Sequence, residues 1–184
     1  DGRTLASSEE GGTIRLWDGH DGRPVATLRP GRPGDVWSVA FSRDGRMLAS
    51  GGPDRAVQIW DIRAGARGGA PVFERRPPLL GHTGRVVIVA FRPDGRTLAS
   101  SSYDGTVRIW NVRKRGSLVR DLRGHTRGVK GLAFGMDGQT LASAGDDGTV
   151  RLWSVRDPSP SGRLLGAKAG ALESVVFCPD GHTL

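Results

Sequence analysis

The stretch Asp94–Asn111, DGRTLASSSYDGTVRIWN, decides how this chain folds, because its opening string returns along the whole length. DGRTLAS stands at Asp1 and again at Asp94, DGRMLAS at Asp44, DGQTLAS at Asp137 and DGHTL at Asp180, giving spacings of 43, 50, 43 and 43 residues. A period of this size marks a repeat architecture, in which each unit is one supersecondary element that buries its apolar faces only against its neighbours. The chain starts and stops in the middle of a unit and lacks an initial methionine, so a segment of a longer protein is expected.

One period reads as four short strands. Val86 to Phe91 is a continuous apolar run bounded by turn residues, the pattern of an innermost strand buried on both faces. Pro93 to Gly95 is turn chemistry, and Thr97 to Ser101 makes the next strand. Asp104-Gly105 is a second tight turn, Thr106 to Trp110 an alternating third strand, and Leu118 to Leu122 a fourth. The seven extra residues of the 50-residue spacing fall between Arg63 and Pro78, rich in proline and glycine, and predict a long connection from third to fourth strand.

Composition narrows the function classes. The net charge is +8, which invites a nucleic-acid or polyanion reading, but arginines fall at repeat-equivalent positions such as Arg3, Arg46 and Arg96, or Arg15, Arg108 and Arg151. Repetition spreads them around the molecule as solvated strand and turn positions, leaving nucleic acid as the alternative partner. The single cysteine, Cys178, sits in an apolar run and reads as a buried small hydrophobe in a reducing, cytoplasmic compartment. No apolar run is long enough to span a bilayer as a helix, so no membrane partner is expected. There is no P-loop and no Asp-Gly turn with calcium-loop spacing, so no metal and no cofactor are expected.

With Trp-Asp at 17–18 and 60–61 and Gly-His at 81–82 and 124–125, recurring in register with the strands, the chain resembles the WD-repeat (WD40) β-propeller family over essentially its whole length. Trp110-Asn111 and Trp153-Ser154 depart at the second letter. The resemblance implies an all-β arc of four-stranded antiparallel blades, three full and two partial, part of a larger ring. Residues 1–30 would form a partial blade, 31–80 a full blade with the insertion near 64–78, 81–123 and 124–166 two more, and 167–184 the start of the next. Leu172 to Phe177 reads as a strand that, in principle, completes the N-terminal blade. An open arc with apolar faces exposed at both ends is expected instead, and it leaves self-association open.

Superimposing the units aligns His82, Ser100, Asp104 and Trp110 with His125, Ser143, Asp147 and Trp153. A hydrolase triad would need an exposed serine beside an oxyanion hole, and no nucleophile elbow is visible. The resemblance implies a buried structural relay from Asp through His and Ser to the indole, and no enzymatic activity. Arg32 stands where the first full blade would have its histidine, Gly11 replaces the first aspartate and Lys168 the last histidine, so those blades should be softer. His20 and His182 read as exposed turn residues.

Residues that break the repeat decorate its surface. Trp37, Val87, Lys130 and Glu173 share one position, with Asp35 and Arg85 two residues before the first two; Pro53, Tyr103 and Asp146 share another. By resemblance both positions line the top of the ring, where this family holds protein or peptide partners. Trp37, Asp35, Arg85, Tyr103, Lys130 and Asp146 are therefore the candidate binding residues, an aromatic pair ringed by mixed charge. Trp37 packed against the next blade is the competing reading. Arg67, Phe73, Arg75 and Arg76 form either a second site on the opposite rim or a surface loop.

Overall fold

The computed structural model describes residues 2–9, 11–30, 34–65, 69–113, 116–156, 162–166, 170–178 and 183. These form strands and turns only, in four antiparallel sheets that do not close into a ring. The first sheet holds β1 (Thr4–Glu9), β2 (Thr13–Asp18) and β3 (Pro24–Leu28). The second holds β4 (Ser38–Phe41), β5 (Met47–Gly51), β6 (Val57–Arg63) and β7 (Val72–Arg75). The third holds β8 (Val86–Phe91), β9 (Thr97–Ser102), β10 (Thr106–Asn111) and β11 (Ser117–Arg123). The fourth holds β12 (Val129–Phe134), β13 (Thr140–Gly145), β14 (Val150–Ser154) and β15 (Arg163–Leu164).

The first turn of each full unit is built by its Asp-Gly pair. Asp94 Oδ1 accepts the Arg96 amide at 2.8 Å, and Asp44 and Asp137 accept the Arg46 and Gln139 amides in the same way. The side chain thus replaces a backbone acceptor and sets the bend.

Strand alternation then sends neighbouring residues into different cores. On β9, Leu98 joins a core with Val57, Ile59 and Val86, while Ala99 joins one with Val107, Val129 and Leu141. A third core unites Ile14, Leu16 and Leu28 with Leu48 and Trp60. Every core therefore lies between two sheets, and no sheet has one of its own. Leu48, Leu98 and Leu141 are fully buried, but Leu5 at the same repeat position is 60% exposed on the outer face of the first sheet.

Three expectations change. The expected open arc holds, but Leu172 to Phe177, read as a strand, joins no ladder among the described residues; it runs beside the fourth sheet, where the Leu172 amide donates to the Gly145 carbonyl at 3.0 Å. Val86 bonds Gly52 in the same way at 3.0 Å, so the segment takes the place of the next innermost strand, with no second strand paired to it among the described residues. For the same reason Cys178 is exposed, not buried. The expected long connection is shorter than 64–78, because β7 resumes the sheet at Val72 and turns Phe73 onto the third core. Arg32, Arg67, Lys168 and His182 lie outside the described residues. No helix among the described residues is long and apolar enough to cross a membrane.

Candidate functional site

Antiparallel pairing puts the β9–β10 turn and the β11–β12 connection on one rim, here the upper, and the β8–β9 turn and β10–β11 connection on the other. The relay stands under the upper rim. Trp110 Nε1 donates to Ser100 Oγ at 2.8 Å, Ser100 is 2.8 Å from His82 Nε2, and His82 Nδ1 is 2.9 Å from Asp104 Oδ2. An indole only donates and a carboxylate only accepts, so the hydroxyl donates to Nε2 and Nδ1–H donates to the aspartate. The next sheet repeats this with Trp153, Ser143, His125 and Asp147 at 2.8, 2.8 and 2.9 Å.

Each aspartate is also a knot of backbone bonds. Asp104 accepts the Thr83 and Thr106 amides and the Thr106 hydroxyl, and Asp147 accepts the matching groups of Thr126 and Thr149. Burial pushes Asp104 up, but hydrogen bonds from His82 and Thr106 outweigh it and leave the carboxyl well below the usual range. Asp147 balances burial against bonds from Thr149, Thr126 and His125 and falls to about 2. Burial pushes His125 below its ordinary value, against the pull of Asp147. The threonines were legible in the repeated string DGTV at 104–107 and 147–150. Ser100 and Ser143 are fully buried with both hydroxyl functions engaged.

The incomplete units differ from one another. In the first sheet Trp17 Nε1 still reaches Ser7 Oγ at 2.9 Å. In the second, Ser50 and Trp60 are both 2% exposed, yet among the described residues no hydrogen bond joins them.

The residues singled out as partner-binding gather on the upper rim. Lys130 occupies a bulge in β12 and Val87 one in β8, while Trp37, just before β4, donates its amide to Gly51. A bulged residue is unpaired and its side chain is re-aimed, here out of the sheet's ladder. Trp37 and Tyr103 meet edge to face, centroids 6.0 Å apart, and both remain partly open at 37% and 43% exposure. Arg85 lies 5.6 Å from the centre of the Trp37 ring, and its carbonyl accepts the Tyr103 amide. Trp37 thus does both things considered for it: it packs against the next sheet and keeps a free face.

Gly128 continues the strip, since a Cβ there would lie 2.5 Å from Tyr103 Cδ1. Beyond it Lys130 Nζ pairs with Asp146 at 3.0 Å and with Glu173 at 2.7 Å, which raises the ammonium's pKa, Glu173 contributing most. Asp35 is exposed at the other end and accepts the Gly11 amide at 2.9 Å.

Other arginines are spoken for. Arg76 forks onto both oxygens of Asp61 and donates to the Val112 carbonyl of the third sheet, so it is a clamp between sheets and not part of a mobile basic loop. Arg108 is not a solvated strand residue: only 12% of its side chain is exposed, and it lies over Trp110 near Asp121.

Antiparallel blades packed face to face, three of them four-stranded, define a segment of a β-propeller. The family model for WD domain, G-beta repeat matches residues 22–61, 74–111 and 116–154, and the chain belongs to the WD40 family. Against curated proteins the chain has no significant match.

Proposed function

We propose that this chain is a non-enzymatic interaction scaffold that receives a protein or peptide partner along the upper-rim strip. The observation that supports it is the Trp37–Tyr103 pair: two large aromatic rings, half exposed, braced by each other and by Arg85. Rigid aromatic area beside arginine, with ionic groups at the margin, is the composition of a binding hot spot. WD40 domains in general scaffold protein–protein interactions. Asp35 and Asp146 frame the aromatic centre and favour partners that carry a cation next to an apolar side chain.

The test is peptide selection from a displayed library on the intact chain, followed by rebinding to the Trp37→Ala/Tyr103→Ala protein. Loss on the order of tenfold or more, with an unchanged melting curve, is expected for removal of paired hot-spot aromatics. Selected peptides that bind the double variant as well as the parent would rule the strip out. Affinities that collapse with added salt for any polyanion offered would favour the nucleic-acid reading.

A further inference from the structure

We propose that the lower rim carries a second and independent site, a groove between the first and second sheets that takes an acidic peptide segment with an apolar centre. The groove encloses about 900 Å³ and is lined by the start of β1, the β4–β5 turn, and Ala64, Gly65, Gly69 and Pro71 after β6. Its floor is apolar, from Val25, Phe41, Ile62 and Phe73, all partly buried. Its margin carries Arg3, Arg46 and Arg63, all exposed.

The reason for the opening lies in a comparison with the next junction. Leu28 and Leu79 hold equivalent places, opposite Ile14 and Val57, and the residues three before them are Val25 and Arg76. Between the second and third sheets the Arg76 guanidinium fills the lower rim, clamped to Asp61 and the Val112 carbonyl. Between the first and second the same place belongs to Val25, whose side chain cannot cross. The equivalent of Asp61 is Asp18, which instead accepts the amides of His20 and Asp21 within its own loop.

The charge around the opening selects the occupant. Asp18 is the one carboxylate among the described lining residues, and its two backbone bonds turn it toward its own loop. Arg46 makes no ion pair among the described residues, and Arg63 pairs only with the exposed Glu74, a contact that solvent screens. The guanidinium groups of Arg46 and Arg63 beside an apolar floor repel a cationic segment. They reward carboxylates, which they bind in a two-pronged geometry, flanking a side chain that covers the floor. The groove's volume falls within the range of about 300–1,000 Å³ usual for ligand sites.

The test uses a fluorescein-labelled peptide with a leucine-phenylalanine centre flanked by glutamates, followed by anisotropy on the intact chain. Saturable binding is expected, weakened on the order of tenfold or more by Arg46→Glu/Arg63→Glu, as charge reversal at a complementary margin requires. Val25→Arg, which restores the plug seen at the next junction, should abolish binding with the melting curve retained, and it separates occlusion from loss of fold. Replacing the peptide's glutamates by lysine, or its centre by serines, should also abolish it. The proposal is overturned by no saturable binding, by equal binding of the lysine peptide, or by binding retained in either variant. It is likewise overturned if Trp37→Ala/Tyr103→Ala removes the binding, because the peptide then sits on the upper rim.

Discussion

Arg55 holds in the second sheet the turn position that Gly105 holds in the third, and both backbones are left-handed, with φ of +66° and +80°. Among the described residues Arg55 is the only one other than glycine with positive φ. A Cβ in that region crowds the neighbouring carbonyl, at a cost of roughly 1–2 kcal/mol. Arg55→Gly should therefore raise stability by about 1 kcal/mol, the gain being reduced by glycine's greater freedom when unfolded. Urea unfolding checks it: a midpoint that falls would show that Arg55 makes a contact worth more than its strain.

Ser100 and Ser50 are equivalent, nearly equally buried, and differently bonded. Ser100 accepts from Trp110 and donates to His82, whereas Ser50 has neither bond among the described residues. Removing the Ser100 hydroxyl strands a buried indole N–H and an imidazole nitrogen, at roughly 1–3 kcal/mol each. Ser100→Ala should thus cost about 2–4 kcal/mol and Ser50→Ala under about 0.5 kcal/mol. Equal losses in denaturant titrations would mean that the relay adds nothing to the third sheet. Amide exchange should also be faster in β5 and β6 than in β9 and β10.

Acid should weaken the fourth sheet in two stages. Asp147 binds its proton at about 2 in the fold against 3.8 ordinarily, and His125 below its ordinary 6.5. Both folded values are depressed, so each group's contribution is complete above its ordinary value and is lost as pH falls toward the folded one. The urea midpoint should decline below pH 6.5 through His125 and further between 3.8 and about 2 through Asp147. In Asp147→Asn the second decline should shrink relative to the parent. Parallel curves for the two proteins down to pH 2 would remove Asp147 from the account.

The blades were legible because turn chemistry and strand alternation are local. Asp94, Gly95, Leu98, Ala99 and Trp110 each do one job set by their own neighbours, and a 43-residue recurrence repeats the evidence for that job. The relay residues were legible for the same reason, and Thr106 and Thr149 lay in plain view in DGTV. What escaped was decided across sheets. Arg76 reads as one of several basic residues in an insertion, and only the packed third sheet supplies the Val112 carbonyl that makes it a clamp. Leu172 to Phe177 has a strand's pattern, but a strand is completed by a partner's hydrogen bonds, and among the described residues the segment has only the fourth sheet beside it. Cys178 follows it into solvent.

The clamp yields the last prediction, through the difference between arginine and lysine. Arg76 and Asp61 are each about three-quarters shielded, with side-chain exposures of 26% and 27%, and the guanidinium serves three acceptors on two sheets. An ammonium is a point donor on a flexible stem and cannot hold both carboxylate oxygens while reaching a carbonyl of the next sheet. Arg76→Lys keeps the charge and loses the fork, so it should cost about 1–2 kcal/mol in urea unfolding. Amide exchange should quicken at Val112 and at the end of β10, where the clamp meets the third sheet. The exposed Arg63–Glu74 pair serves as the internal standard, since Arg63→Lys should change stability by under about 0.5 kcal/mol. Equal effects at the two positions would mean that Arg76 contributes only its charge, and that the second and third sheets are held by their shared apolar core alone.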